Sequence, residues 1–251
     1  MIPSIIFIIP YRNRQSHKQH FDIYMKYILE DYEKSCYEIF FIHQQDNKPF
    51  NRGAMKNIGF LAMKSKYPND YKNIIFIFND IDTMPATKDL LNYNTKQGTV
   101  KHFYGFTHAL GGIFSITGID FEKTGGFPNF WGWGVEDNCM NDRVIQSGLK
   151  IDRTNFYNIN DHNIIHIFDG TTKLMSKQEP WRYNNNADNM TDIQNLTYKI
   201  ENDYIHVTNF ITKFDYTKDT LYNKDIRKNI NKILKEPNYS PHNINLVRMK
   251  F

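Results

Sequence analysis

Short apolar runs alternate with amphipathic stretches through the first third of the chain. Residues 4–9, 37–43 and 73–78 (NIIFIF) are apolar and rich in Ile and Phe. Between them, residues 15–33 place Phe21, Met25, Ile28 and Tyr32 on one helical face, and residues 52–66 do the same with Met55, Ile58, Gly59 and Met63. Strand-like runs separated by helical periodicity predict α/β architecture: a parallel sheet with helices on its faces. The pattern then changes. Residues 111–117 (GGIFSIT) predict another strand, residues 125–134 (GGFPNFWGWG) a Gly- and aromatic-rich loop, and residues 136–147 a helix that Gly148 ends. Residues 164–168 and 204–211 predict further strands, residues 183–189 a loop, and residues 224–235 a short helix.

With 251 residues, 40% of them hydrophobic and 23% charged, the chain can bury one large core, and no fixed-period repeat divides it. The expectation is a catalytic domain over residues 1–215 and a basic extension over residues 216–251. The net charge of +4 is unevenly placed, since residues 216–251 hold eight Lys/Arg against three Asp/Glu and leave 23 basic and 24 acidic residues before them. A nucleic-acid binder carries its positive charge as a stripe on the folded core, so this distribution argues against that class of partner. Cys36 and Cys139 form no CxxC, which removes a disulfide framework from consideration. The apolar run at the N-terminus is far shorter than the ~20 residues that span a bilayer. It also lacks the basic start and cleavage site of a signal peptide. A soluble, cytoplasmic chain with no integral membrane segment is expected.

The third apolar run ends in Asn79-Asp80-Ile81-Asp82. In an open α/β sheet, ligands bind beyond the carboxyl ends of the strands, and two carboxylates there suit a hard divalent ion and hence a diphosphate. A plain acidic turn is the competing explanation. Two further segments reach the same edge. Pro10-Tyr11-Arg12-Asn13-Arg14 offers Arg12 and Arg14 to phosphate oxygens. Phe50-Asn51-Arg52-Gly53 offers Arg52, a helix N-terminus and an aromatic face for a base. Next come Trp131 and Trp133, spaced by glycines, whose flat faces suit sugar rings, and then Glu136 and Asp137 at a helix start. The helix dipole keeps a carboxylate there ionised, which fits a general base. His166, in a strand-like run, is a candidate to complete a metal site with Asp82, although a core histidine is the blander alternative.

In order, PYRNR, FNRGAMKNIGF, FIFNDID, GGIFSITGIDFEKTGGFPNFWGWGVED and the later His166 closely resemble the β1,4-galactosyltransferase family. The resemblance implies a GT-A type nucleotide-sugar fold, Mn²⁺ dependence, a UDP-sugar donor and inverting transfer to the 4-hydroxyl of a terminal sugar. By the same resemblance Pro10, Tyr11, Arg12, Arg14, Phe50, Arg52 and Asp80 are donor-binding, with Ala109 and Gly112 beside the donor sugar. Asp82 and His166 are metal ligands. Trp133 is the mobile-loop tryptophan that closes over the donor, and Glu136 and Asp137 are the acidic pair, with Asp137 as catalytic base. The acceptor side falls to Trp131, Asp137, Asn138, Arg182 and Tyr183. A non-catalytic sugar- or nucleotide-binding module on the same fold is the alternative.

Four departures from the family pattern matter. Asn163 stands where the vertebrate enzymes have a metal-ligating Met, and an amide oxygen is the harder ligand. Asn138 replaces an Asp that helps hold N-acetylglucosamine. Ala109 replaces the Tyr that restricts the vertebrate enzymes to UDP-galactose, which opens the site to UDP-GalNAc as well as UDP-Gal. Met1 directly precedes the first strand, with no anchor or stem, which favours a soluble microbial or viral member.

Overall fold

The computed structural model describes residues 1–226. In chain order its elements are β1 (Ile5–Tyr11), α1 (Gln15–Ile28), β2 (Tyr37–Gln44), α2 (Arg52–Lys66), β3 (Ile75–Asn79), β4 (Thr83–Pro85), β5 (Thr99–Gly105), β6 (Ile113–Thr117) and α3 (Gly118–Thr124). There follow α4 (Glu136–Gln146), β7 (Lys150–Asp152), β8 (Tyr157–Asn158), β9 (Ile164–His166), β10 (Thr172–Ser176), α5 (Glu179–Asn184), β11 (Gln194–Glu201), β12 (Tyr204–Ile211) and β13 (Leu221–Asp225). The main sheet has the order β11-β12-β2-β1-β3-β6-β5-β7, with β8 beside β5. β1 is parallel to β2 and β3, β12 to β2, and β7 and β8 to β5. β6 runs antiparallel to β3 and β5, and β11 to β12. The expected mixed, mostly parallel sheet with flanking helices is therefore present.

Alternation along the strands explains the continuous apolar runs. Ile6 and Ile8 of β1 pack with Ala54, Met55 and Ile58 of α2, while Ile5, Phe7 and Ile9 pack with Phe21, Met25 and Ile28 of α1. Successive side chains point to opposite faces, so a strand covered on both sides needs every position apolar. The Asn51 side chain caps α2 by accepting the Ala54 N–H at 2.9 Å, and this sets where Arg52 leaves the chain.

Several boundaries differ from the periodicity. α1 ends at Ile28, not residue 33. Glu30 and Asp31 would sit unfavourably at a helix C-terminus, and both instead pair with Lys88. β9 stops at His166, two residues short of the expected run. β5, β10, β11 and β13 have no strong apolar signature. β11 is a largely exposed edge strand, and such a strand needs no apolar face. α5 takes Tyr183 and Asn184 from the expected loop.

The chain from residue 216 is tied to the main body as far as residue 226. β13 pairs antiparallel with β10, and Arg182 forks onto Asp219 with N···O distances of 2.7 and 2.5 Å. Lys224 and Asp225, expected to open a helix, end β13 instead, and the rest of that expected helix lies outside the described residues. Among the described residues no helix is long and apolar enough to cross a membrane.

Candidate active site

The carboxyl ends of β1, β2 and β3, the start of β6 and the start of α4 meet at one edge of the sheet. At its centre is a cluster of charge. Arg52, the first residue of α2, donates from one terminal nitrogen to Glu136 Oε1 (2.8 Å) and from the other to both Asp80 oxygens (2.8 and 2.9 Å), with Asp137 Oδ2 at 3.7 Å. Burial opposes the Arg52 charge, but the three carboxylates outweigh it and hold the guanidinium protonated. Burial also opposes ionisation of Asp80, yet Arg52 and Lys56 keep its pKa below the ordinary carboxylate value. Glu136 moves the other way. Its burial and the neighbouring Asp137 raise it, with Arg52 opposing.

Lys56 was not among the residues expected from sequence. It lies one turn beyond Arg52, is 1% exposed, and donates to Asp137 Oδ1 at 3.0 Å. The available signal was its spacing: Arg52 and Lys56 at i and i+4 share a helix face that continues as Gly59 and Met63. A lysine on a buried face needs a carboxylate partner.

Asp82 and His166 come together through β4 and β9, where Thr83 is registered against His166. Asp82 Oδ2 lies 3.7 Å from His166 Nε2, and Tyr104 Oη lies 3.2 Å from His166 Nδ1. A partner on Nδ1 orients the ring and leaves Nε2 for a metal. A carboxylate and an imidazole at this separation fit a divalent ion such as Mn²⁺. Among the described residues no three His, Cys, Asp or Glu side chains form a metal cluster by themselves. Asn163 stands on the turn into β9, its amide nitrogen donating to Asp161 Oδ1 at 3.0 Å.

The remaining donor-side candidates are engaged in framing the site. Arg12 donates to the carbonyls of Asp46 (2.8 Å) and Lys48, pinning the loop that carries the half-buried Phe50. Arg14 pairs with Asp169, just beyond β9. Pro10 and Tyr11 end β1, buried, with Tyr11 edge-on to Phe41 and His43. Two glycines admit the catalytic edge. A Cβ on Gly111 would lie 2.3 Å from Asp137 Oδ2, and Gly112, at φ +66°, has the Tyr104 carbonyl 2.4 Å from where its Cβ would be. Ala109 is 7% exposed, and the next residue, Leu110, donates its N–H to the Asp137 carbonyl at 2.8 Å.

The tryptophans separate. Trp133 lines a pocket of about 190 Å³ with Gly134, Met175, Glu179, Pro180 and Tyr222. Gly134 N–H donates to Glu136 Oε2 at 2.9 Å, so the pocket wall joins the charged cluster. Val135 holds φ +58°, a left-handed conformation that strains a β-branched residue and sits directly before the acidic pair. Glu179 accepts the Gly132 N–H, and burial with the nearby Glu136 charge pushes its pKa up to about 9.

Trp131, expected as an acceptor platform, is instead a core residue. It is 2% exposed, stacks on Phe210 at 5.4 Å, and donates its indole N–H to Thr212 Oγ1 and the Phe214 carbonyl. The Gly-spaced segment is an irregular loop, so two tryptophans two residues apart do not have to share a face, and this one packs on Phe210 of β12. Trp131→Ala is accordingly expected to cost about 3–5 kcal/mol of stability, read by urea unfolding, with the acceptor KM of the folded fraction unchanged. A rise in KM without a stability loss would return Trp131 to the acceptor site. Arg182 is likewise removed from the acceptor side by its buried pair with Asp219. Tyr183 donates its hydroxyl to Asp142 at 2.5 Å. Asn138 stays at the site's rim, its amide donating to the His108 carbonyl at 3.2 Å.

Residues 2–95 match the N-terminal region of glycosyl transferase group 7, and residues 97–168 match the N-terminal domain of galactosyltransferase. Mouse β-1,4-galactosyltransferase 1 is 33% identical over 164 residues, which is 61% of this chain and 39% of that protein. Mouse β-1,4-galactosyltransferase 5 is 27% identical over 207 residues, 78% of this chain and 51% of that protein. The chain thus spans about half or less of the length of these relatives. The catalytic domain of Drosophila β1,4-galactosyltransferase 7 superimposes with a TM-score of 0.66 at 21% identity, covering 86% of this chain and 97% of that one. A mutant of it in complex with manganese, UDP-Gal and xylobiose scores 0.67 at the same identity. The fold is that of the GT-A glycosyltransferases, and with both matches running colinearly from residue 2 to residue 168, this chain belongs to the glycosyl transferase group 7 family of galactosyltransferases.

Proposed function

We propose that this chain is a metal-dependent, inverting glycosyltransferase that moves galactose or N-acetylgalactosamine from a UDP-sugar to a hydroxyl, the 4-hydroxyl by family resemblance, of an acceptor sugar. The observation that carries the reading is the convergence of Arg52, Asp80, Glu136 and Asp137 on one sheet edge that also bears the Asp82–His166 pair. The Drosophila structure with manganese, UDP-Gal and xylobiose supports a divalent ion, a UDP-sugar donor and a sugar acceptor here.

In this reading Asp137 accepts the proton of the acceptor hydroxyl as that oxygen attacks the anomeric carbon. The bond from that carbon to UDP breaks on the opposite side, so configuration inverts and no covalent enzyme intermediate forms. Asp82 and His166 would hold a divalent ion, whose chemistry there would be to supply positive charge against a diphosphate leaving group. Glu136 and Asp80 hold the Arg52 fork in place, and Trp133 with Gly134 forms the wall nearest the acidic pair. The Trp133 pocket suits one sugar ring, being smaller than the ~300–1,000 Å³ of pockets for larger ligands.

The donor follows from Ala109. By family resemblance it stands where a larger Tyr would crowd the second carbon of the donor sugar, so UDP-GalNAc is expected to be used at least as well as UDP-Gal. The test is a matrix of UDP-sugars against acceptor sugars, with the product identified by mass and UDP release followed with and without Mn²⁺. Transfer from UDP-Gal exceeding that from UDP-GalNAc by more than about tenfold, a margin of ~1.4 kcal/mol, would overturn the donor assignment. No UDP release with any pair would favour a binding module instead.

A further inference from the structure

Lys56 is the most buried cation of the site, 1% exposed on the face of α2 that packs Met55, Ile58 and Phe60 into the core. A buried ammonium is retained only where its charge is paired. Here Nζ donates to Asp137 Oδ1 at 3.0 Å, lies 3.8 Å from Asp80 Oδ1, and sits 4.5 Å from the centre of the Phe127 ring. Asp137 is confined on its other sides too. Gly111 leaves no room for a side chain against Oδ2, Arg52 approaches Oδ2 at 3.7 Å, and the Asp137 carbonyl accepts the Leu110 N–H. With Oδ1 occupied by Lys56, the oxygen left for a ligand is Oδ2, beside the glycine pair.

We infer that Lys56 is a positioning residue for Asp137, holding Oδ1 so that Oδ2 faces the acceptor hydroxyl. The inference rests on the reading of Asp137 as the base. The charged groups that face Asp137 are Arg52 and Lys56 from α2, Asp80 from the end of β3 and Glu136 from its own helix. Without Lys56, three carboxylates share one guanidinium, and the proton-accepting oxygen is free to rotate. Arg52 cannot take over this task, because its two terminal nitrogens are already committed to Glu136 and Asp80.

Lys56→Met replaces the side chain by an apolar one of similar length, and Asp137 keeps contact with solvent at 20% side-chain exposure. Lys56→Gln keeps a hydrogen-bond donor without the charge. Both are compared with the unaltered chain for kcat and KM, with thermal unfolding and UDP binding in Mn²⁺ as controls for folding and donor binding. The expected result is a fall in kcat of about 10- to 100-fold with a UDP-sugar KM within about twofold. A purely structural role would lower the folded fraction and leave kcat per folded molecule unchanged. If the unaltered chain transfers no sugar, the reading of Asp137 as base fails. If it is active and both variants keep kcat, the role of Lys56 fails alone.

Discussion

Asp137→Asn cripples transfer while donor and Mn²⁺ binding persist: that is the expected result, with a loss in kcat of about 10²–10⁴-fold. The substitution is well suited to separating chemistry from structure. An amide oxygen still accepts from Lys56, now 3.0 Å from Oδ1, and the amide is close to isosteric in the space beside Gly111. The main-chain bond from Leu110 to the Asp137 carbonyl is untouched. What disappears is an oxygen able to take a proton, together with a charge beside Lys56, for which Asp80 at 3.8 Å remains. Because Asp137 lies on the α4 side of the cluster and the Asp82–His166 pair on the β4–β9 side, UDP binding measured calorimetrically in Mn²⁺ should be within about twofold of the unaltered protein, a difference of ~0.4 kcal/mol. Retained turnover would remove Asp137 from the role of base. Joint loss of turnover and UDP binding would make it a structural member of the charged cluster.

Asp82→Ala produces the second large effect, on metal and donor binding and not on the proton. The expected loss in Mn²⁺ affinity exceeds the roughly 10- to 100-fold seen when only an outer partner of a metal ligand is removed, because in the proposed function Asp82 is itself a ligand. The fold tolerates the change. The Asp82 carbonyl still accepts the Ile167 N–H at 2.8 Å, and the β4–β9 ladder does not use the carboxylate. Mn²⁺ titration followed by electron paramagnetic resonance reads the site directly, with UDP binding as the second measurement. Unchanged Mn²⁺ affinity in Asp82→Ala would place the metal elsewhere.

How much of this was legible in the sequence differs element by element. The three apolar runs that became β1, β2 and β3 were visible because each strand is covered on both faces and must be apolar throughout. The helical face of Met55, Ile58 and Met63 was visible through its spacing, although α2 is buried without a break from Gly53 to Phe60, the polar Lys56 and Asn57 included. The strands β11 and β13 were not, because an edge strand and a short strand paired only with β10 satisfy their backbone without an apolar pattern. Trp131 and Trp133 look equivalent in the string WGWG, yet one stacks on Phe210 inside the core and the other walls a pocket. Burial there depends on β12, far along the chain.

The charged residues divide the same way. Asp80, Asp82, Glu136 and Asp137 announced themselves by position, at a strand end and a helix start, where carboxylates carry chemistry. Lys56 and Tyr104 did not, because their roles exist only through partners from other elements, Asp137 of α4 and His166 of β9. Arg182 shows the converse: as a residue type it fits an acceptor site, but Asp219 takes both ends of its guanidinium in a buried pair. Local pattern determined the order of elements, the family and the residues able to do the chemistry, because periodicity and short motifs are carried by neighbours along the chain. Tertiary structure alone decided which of those residues are free to act, because a charge or an aromatic ring is committed by whatever the fold brings within about 3–4 Å of it.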